Sequence, residues 1–151
     1  MAKKTKDILY YEAVGRRKEA VARVRLYIVG KDNVVSIAGI KVKKGEMIIN
    51  HKPIESIFSS LQEKTQYLSP FKLTQVEDRF AVSALIRGGG KTGQIEAFIH
   101  GVARAIEKTD KEAMRPLLKK AGLLTRDSRI RERRKVGTGG KSRRVKQSPK
   151  R

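Results

Sequence analysis

Apolar side chains alternate with basic or polar ones between positions 22 and 28, a period of two that is typical of a strand with one buried face. The basic residues of this strand, which fall on its other face, are Arg23 and Arg25. The later sequence MIIN, 47–50, is predicted to be its hairpin partner. Between the two, residues 30–45 are basic and contain glycine, so they predict a long connection with a short strand at VVSI.

A second strand is predicted at 79–87, where both faces are apolar enough for an interior position in a sheet. The clearest helix follows it, because its apolar residues recur at helical spacing. These residues, which must face the core, are Ile95, Phe98, Ile99, Val102, Ala103 and Ile106.

Proline, aspartate and glycine signals predict two more helices. Pro53 suits the first turn of a helix whose apolar positions extend to Leu61, and Pro70 is expected to limit its length. Asp110 is predicted to cap a further helix, which Gly122 ends. Strands separated by helices in this way favour an α+β sandwich.

The composition changes sharply near Arg129, which divides the chain into a globular body, residues 1–128, and an extended basic tail, residues 129–151. The tail holds eleven basic residues against Glu132 alone, a net charge of +10. It has too few apolar residues to offset its ordering entropy, so we expect it to be disordered until it meets an anion. Because it has no aromatic residue, it should contact phosphates and shape rather than base sequence. A solubilising appendage is the alternative.

The charge of the whole chain points to a polyanionic partner. Lys and Arg number 36 against 15 Asp and Glu, giving a formal net charge of +21 and a pI near 10.6. Nucleic acid is the expected partner. No apolar run approaches the ~18 residues of a membrane span, and the first residues lack a signal-peptide core, so we expect a cytosolic protein without a membrane partner. The absence of cysteine excludes disulfides and thiolate chemistry.

The glycine-rich stretch RGGGKTG, 87–93, raises the question of a nucleotide site. A P-loop fails because Leu85 stands where its first glycine is needed. A dinucleotide fingerprint fits the strand–loop–helix context but lacks the acid that should end a second strand. The alternatives are a tight turn needing positive φ, or helix amides beside Arg87 and Lys91 that hold an RNA phosphate.

Catalysis and metal binding are not expected. His100 stands at helical spacing from Glu96 and Arg104, which suits a surface or RNA-contacting side chain better than a catalytic base. His51 lies at a predicted turn. Two histidines without cysteines make a poor metal site, and carboxylates are too sparse to form an acid–base pair.

Three blocks together resemble the bacterial small-subunit ribosomal protein nine family: VGRRKEAVARVRL at 14–26, GGGKTGQIEAFIHGVARAI at 88–106 and RPLLKKAGLLTRDSRIRERRKVG at 115–137. The resemblance is specific because the three blocks agree in order and spacing. It implies a two-layer fold with a four-stranded sheet backed by helices, like domain two of ribosomal protein S-five. It also implies a non-enzymatic constituent of the small ribosomal subunit, without cofactor or self-association.

The implied partners are 16S ribosomal RNA in the subunit head, neighbouring head proteins and the anticodon stem-loop of peptidyl-site tRNA. Together with the charge pattern, the resemblance predicts ribosomal RNA contacts at Arg16, Arg17, Lys18, Arg23, Arg25, Lys91, His100, Arg104, Arg126, Arg129, Arg131, Arg133, Arg134, Lys135, Lys141, Arg143 and Arg144. It predicts tRNA contacts at Ser148, Lys150 and Arg151. The chain ends QSPKR, whereas the family usually ends with an aromatic residue and then Ser-Lys-Arg.

Two other classes of function remain open at the level of sequence. A free nucleic-acid chaperone or DNA-associated basic protein would use the tail to bind polyanions indiscriminately. A nucleotide-dependent enzyme would depend on Gly90 and Lys91 of the glycine-rich loop.

Overall fold

The computed structural model describes residues 3–5, 8–30, 33–37, 39–131 and 133–134. The strands in these ranges are β1 Lys3–Thr5, β2 Ile8–Arg17, β3 Ala20–Ile28, β4 Val34–Ile37, β5 Ile40–Lys43, β6 Met47–Ile49, β7 Lys52–Pro53 and β8 Phe80–Arg87. The helices are α1 Ile54–Ile57, α2 Leu61–Thr74, α3 Lys91–Glu107 and α4 Lys111–Lys120. None of these helices is both long and apolar enough to cross a bilayer.

The larger sheet has the strand order β1-β2-β3-β8-β6-β7. Neighbours pair antiparallel except β6 and β8, which are parallel and are joined by a crossover through α1 and α2. Helix α3 packs on β2 and β3, and α2 and α4 pack on α3. The α+β class is confirmed. The expected four-stranded sheet is wrong as a count, because the short strands β1 and β7 extend the two edges of a four-stranded centre to give six.

Strand β8 lies in the interior of the sheet, as predicted. Its residues Ala81 and Val82 point to opposite faces and are both buried, at 0% and 1% exposure. The prediction that MIIN pairs with β3 is wrong, because β8 lies between β3 and β6. A strand that is apolar on both faces is most stable with a neighbouring strand on each side. The other neighbour of β3 is β2, which is connected to it by a two-residue turn.

The segment after Pro53 forms two helices instead of the single predicted one. Pro53 ends β7 and precedes the one-turn helix α1, and the helix is interrupted at Phe58. Ser60 then starts α2 with a capping box, in which the Glu63 carboxylate accepts from the Ser60 N–H at 3.1 Å. Leu61 is consequently 80% exposed rather than part of a buried face.

Pro70 does not limit α2, which continues to Thr74. Proline has no N–H, so the carbonyl of Gln66 loses its usual backbone donor. The Ser69 hydroxyl donates to that carbonyl at 2.8 Å and replaces the missing bond. The helix ends instead at Gln75, which has left-handed backbone geometry with φ 55°.

Helix α3 lies very close to β2, and its predicted apolar face is confirmed by the complete burial of residues such as Phe98. The close approach depends on Gly15 of β2 and Gly101 of α3. A Cβ atom on Gly15 would lie 2.0 Å from the Ala97 carbonyl oxygen and 2.3 Å from the Gly101 nitrogen. The absence of side chains at this contact therefore sets the distance between helix and sheet.

The predicted ends of α4 are also confirmed. The Asp110 carboxylate accepts from the N–H of Ala113 at 3.1 Å, which satisfies one unpaired amide of the first turn. The helix ends at Lys120, and Gly122 has φ 73°, a conformation that glycine adopts without a Cβ penalty.

A two-stranded hairpin, β4 with β5, covers one end of the sheet face opposite α3. The strand predicted at VVSI is confirmed as β4, whereas its partner β5 was not predicted. The hairpin closes a second, smaller core made of Tyr10, Tyr27, Val35, Ile37, Val42, Ile48 and Ala81. The other end of the same face stays open to solvent.

Candidate nucleic-acid interface

The GRRK sequence ends β2 and forms a tight turn into β3 at Lys18 and Glu19. Lys18 has φ 49°, in the left-handed region, which allows the strands to reverse within two residues. Because side chains alternate along β2, Arg16 and Arg17 point to opposite faces of the sheet. Arg16 and Lys18 are exposed, whereas the Arg17 side chain is only 11% exposed.

Arg17 holds three parts of the chain together. Its Nε pairs with the Glu96 carboxylate on α3, and its Nη2 lies 3.0 Å from Asp127 Oδ2. Its Nη1 donates to the carbonyls of Asp127 at 3.2 Å and Arg129 at 2.6 Å. We call this set of contacts the Arg17 clamp. The clamp fixes the segment that follows α4 beside the GRRK turn, and it leaves Arg17 little freedom to contact a phosphate.

Asp127 is held as an anion within the clamp. The Arg129 side chain donates to both carboxylate oxygens of Asp127, at 2.6 to 3.0 Å, and the Arg129 backbone N–H donates at 2.9 Å. These bonds from Arg129, together with the nearby Arg17 charge, hold the pKa of the Asp127 carboxyl well below its usual range. Arg129 itself remains 87% exposed.

Two side chains of α3, and Lys108 directly after its end, hydrogen-bond the part of β2 that extends beyond its pairing with β1. The Arg16 N–H donates to His100 Nδ1 at 3.3 Å, Arg104 donates to the Val14 carbonyl at 2.5 Å, and Lys108 donates to the Glu12 carbonyl at 2.6 Å. The spacing of four residues on a helix, about 6 Å, is close to the spacing of two residues on a strand, about 6.7 Å, so the two ladders stay in step. His100 and Arg104, both predicted as RNA contacts, therefore satisfy backbone groups of β2 in the part of the strand beyond its pairing with β1.

Burial lowers the pKa of His100, and the positive charge of Arg104 lowers it further. The geometry agrees with a neutral ring, because Nδ1 can accept from the Arg16 N–H only while it carries no proton. His100 is therefore a neutral acceptor near pH 7 rather than a cation available for phosphate.

The depressed pKa of His100 predicts loss of stability in mild acid. Above its ordinary pKa of 6.5 the ring is neutral in both the folded and the unfolded chain, and below 6.5 the unfolded chain takes up the proton first. We expect the free energy of unfolding to fall between pH 7.5 and pH 5.5, measured by urea denaturation at each pH. The variant His100→Asn keeps an acceptor near the position of Nδ1 but does not titrate, so it should lose less stability over this range. Equal losses in the two proteins would contradict the role of His100.

Two further predicted contacts also have partners within the protein. Arg25 pairs with Glu12 at 2.8 Å and lies over the Tyr10 ring, 4.8 Å from its centre. Lys91 lies 2.8 Å from the Glu63 carboxylate of α2. At the glycine-rich loop, Gly88 and Gly89 have positive φ, which fits the tight turn that was one of the alternatives for this motif.

Eight basic residues of the strands β2, β3 and β8, of the GRRK turn and of the segment after α4 are exposed, and their side chains have no hydrogen-bond or ion-pair partner in the part of the chain that the structure describes. They are Arg16, Lys18, Arg23, Arg87, Arg126, Arg131, Arg133 and Arg134. The predicted contacts Lys135, Lys141, Arg143, Arg144, Ser148, Lys150 and Arg151 lie outside the described residues. Among the described residues, no cluster of three or more His, Asp or Glu could hold a metal ion.

The structure thus separates two kinds of predicted residue. Arg17, Arg25, Lys91 and Arg104 are engaged within the protein, while Arg16, Lys18, Arg23 and Arg126 are available to a partner. Sequence reasoning missed Lys108 and Asp127. Lys108 continues the four-residue spacing of Glu96, His100 and Arg104, and Asp127 is a lone acid between arginines, so both had a detectable signal.

Residues 15–151 match a family of ribosomal proteins. The chain belongs to this family, which is described as Ribosomal protein S9/S16.

Relatives from three bacteria are similar to most of the chain, and each is named small ribosomal subunit protein uS9. The relative from Dehalococcoides mccartyi is 44% identical over 128 residues, which cover 85% of this chain and 86% of the relative. The relative from Cutibacterium acnes is 44% identical over 125 residues, 83% of this chain and 64% of the relative. The relative from Rickettsia canadensis is 40% identical over 127 residues, 84% and 70% respectively. The resemblance noted in the sequence is therefore confirmed.

Proposed function

We propose that this chain is a structural constituent of the small ribosomal subunit in the cytoplasm, where it binds 16S ribosomal RNA in the head beside neighbouring head proteins. The observation that carries the proposal is the Arg17 clamp, which holds the start of a basic segment next to the GRRK turn in a member of a ribosomal protein family. Prearranged charges lose little conformational entropy on binding, so they suit a polyanion of fixed shape.

The free cations on both sides of the clamp are the proposed RNA contacts. Arg16 and Lys18 project from the GRRK turn, and Arg126 and Arg131 flank the clamped residues Asp127 and Arg129. An arginine can donate two parallel hydrogen bonds to one phosphate, which makes these side chains well suited to an RNA backbone. The engaged residues act indirectly, because they fix the position of the free ones.

The segment 135–151 is proposed to reach peptidyl-site tRNA, as the family resemblance implies. It has seven basic residues, no acidic residue and no aromatic residue. Phosphate contacts without base stacking are what this composition can provide. Lys135, Lys141, Arg143 and Arg144 would contact ribosomal RNA along the way, and Ser148, Lys150 and Arg151 would contact the anticodon stem-loop.

The affinity for a transcript of the 16S head domain is expected to fall steeply as salt is raised from about 50 to 200 mM. Each phosphate contact contributes about 0.9 to the slope of log affinity against log salt, so deleting 135–151 should reduce the slope by several units and weaken binding at least about tenfold. Filter binding or fluorescence anisotropy measures both quantities. A full-length control with the seven basic residues changed to glutamine should match the deletion, and both should unfold at the wild-type temperature because the clamp is intact. A slope that the deletion does not change would contradict the proposal.

Crosslinking from position 151 on assembled small subunits tests the tRNA contact separately. Linkage to peptidyl-site tRNA supports it, and linkage to ribosomal RNA alone removes it while leaving the structural role. Sedimentation with small subunits after a high-salt wash is expected of a ribosomal constituent. Release together with bulk DNA would instead favour a free nucleic-acid chaperone.

A further inference from the structure

The sheet face opposite α3 has an open end that has not so far been considered as one surface, although Arg16 and Arg23 on it were predicted individually as RNA contacts. We define the open sheet face as those residues of β2, β3 and β8 whose side chains lie on this side of the sheet, outside the part that the β4–β5 hairpin covers. They are Val14, Arg16, Val21, Arg23, Leu85 and Arg87. Their neighbours along each strand, such as Ala22 and Ile86, are buried on the α3 side.

The strand register arranges the three arginines as a triangle. Val21 is opposite Arg16 on one side and Arg87 on the other, so these arginines flank it in one row across the sheet. Arg23 occupies the centre of the next row, between Val14 and Leu85. Strands lie about 4.8 Å apart, which separates the backbones of Arg16 and Arg87 by about 10 Å and sets Arg23 about 7 Å from their row.

This face has the chemistry of an anion-binding site, because its arginines surround an apolar floor and their positive charges are not neutralised by described residues. The side chains of Arg16, Arg23 and Arg87 have no partner among the residues that the structure describes. A shallow depression of about 280 Å³ lies between Val21, Arg23, Leu85 and Arg87. Guanidinium groups at the side and aliphatic groups at the bottom suit a phosphate joined to a ribose.

The same face lacks the groups that grip unpaired bases. Its aromatic residues, Tyr10 and Tyr27, are covered by the β4–β5 hairpin and are each 6% exposed. Single-stranded RNA is usually held by bases stacked on exposed aromatic rings, whereas double-helical RNA is recognised through its backbone and shape. The exposed residues of the open sheet face offer only the second kind of contact.

We propose that the open sheet face docks on the sugar–phosphate backbone of an RNA double helix. Arg16 and Arg87 contact phosphates on the two sides of the shallow minor groove, Arg23 contacts a third phosphate, and Val21 and Leu85 lie against ribose. This inference rests on the proposed function, because it names the form of RNA and the surface that binds it. It moves Arg87 from the glycine-rich loop, where the sequence offered it beside the helix amides, to a surface shared with Arg16 and Arg23.

The test compares two triple variants of the full chain that change the net charge equally. R16Q/R23Q/R87Q alters the open sheet face, and K111Q/K119Q/K120Q alters three exposed lysines of α4. Fluorescence anisotropy measures the affinity of each for an RNA duplex of about 16 base pairs and for one of its strands. We expect the arginine variant to bind the duplex about tenfold more weakly than wild type, and the lysine variant less than about threefold more weakly.

The outcomes distinguish the surface from the general function. The proposal is supported if the wild-type protein prefers the duplex over the single strand, the lysine variant keeps this preference and the arginine variant loses it. Equal losses in both variants, or a loss confined to the single strand, overturn it while leaving RNA binding by the chain intact. Unchanged duplex binding combined with poor incorporation into small subunits overturns it in favour of a protein partner for this face. Wild-type protein that binds no RNA at all would remove the proposed function itself.

Folding does not obscure this test, because the three arginines are exposed and unpaired within the described structure. The single variant R23E provides a check with one substitution. It should weaken duplex binding at least threefold with an unchanged thermal unfolding midpoint. A normal affinity in a folded R23E protein also counts against the proposal.

Discussion

Replacing Gly15 with alanine should destabilise the protein by at least about 3 kcal/mol, at the upper end of the usual cost of overpacking. The new Cβ atom would lie 2.0 Å from the Ala97 carbonyl oxygen and 2.3 Å from the Gly101 nitrogen. Both are backbone atoms of α3, so no side-chain rotation relieves the clash and the helix must move away from β2. That movement separates the fully buried residues between helix and sheet, including Val102.

Urea denaturation followed by circular dichroism measures this effect, and two glycine variants calibrate it. Gly101→Ala should cost less than Gly15→Ala, because its nearest contact is a side-chain atom, Cγ2 of Val24 at 2.7 Å, and its nearest backbone contact, the Gly15 nitrogen, is 3.2 Å away. Gly30→Ala should be nearly neutral, since a Cβ there meets nothing within 4 Å. If Gly15→Ala proved as stable as Gly30→Ala, the close contact between α3 and β2 would not exist in solution.

Replacing Arg17 with glutamine should release the segment after α4 from the body of the protein. The clamp includes four contacts to Glu96, Asp127 and the carbonyl of Arg129, and hydrogen bonds of charged groups contribute about 1.5–3 kcal/mol each. Because Glu96 and Asp127 are partly exposed, at 43% and 32%, we expect a total loss of only about 2 kcal/mol. This corresponds to a roughly thirtyfold larger equilibrium population of the locally opened segment.

Hydrogen exchange of residues 123–131 and trypsin cleavage after Arg126 report this opening. The control Arg115→Gln removes an exposed arginine that has one ion pair, with Glu107 at 2.7 Å, and should change stability by less than about 0.5 kcal/mol. Arg17→Lys keeps the charge but cannot make all four contacts, so it should lie between wild type and Arg17→Gln.

RNA binding separates a positioning role of Arg17 from a direct contact. If Arg17 acts through the clamp, Arg17→Gln weakens binding but leaves the salt slope nearly unchanged, because no phosphate contact is lost. If the slope instead fell by about 0.9, Arg17 would contact a phosphate itself, and the clamp would open in the complex.

Local sequence rules were enough to predict those secondary-structure elements that depend only on a residue and its neighbours in the sequence. Strand β8 follows from apolar residues on both faces, α3 from its helical spacing, and the ends of α4 from Asp110 and Gly122. Pro70 is an exception, because the local prediction that it would limit α2 failed for a reason that is itself local. Its expected effect on α2 is cancelled by the Ser69 hydroxyl, a bond that depends on one rotamer.

Pairing between distant segments could not be predicted in this way. MIIN has the pattern of a strand, but whether it lies beside β3 or β8 depends on which strand needs two neighbours. The roles of the basic residues have the same limitation. Arg16 and Arg17 are adjacent and chemically identical, yet one is free on the open sheet face and the other holds Glu96 and Asp127, because alternate strand residues face opposite sides.

The sequence alone determined the α+β class, the positive charge, the strongest elements and the family, since these follow from composition, periodicity and motif order. The tertiary structure decided which cations are available to a partner. That choice depends on carboxylates and carbonyls far along the chain, such as Glu96 for Arg17 and Val14 for Arg104. A basic side chain is available to a partner or is engaged within the protein according to which groups folding brings within about 3 Å of it. No local sequence pattern shows which groups those are.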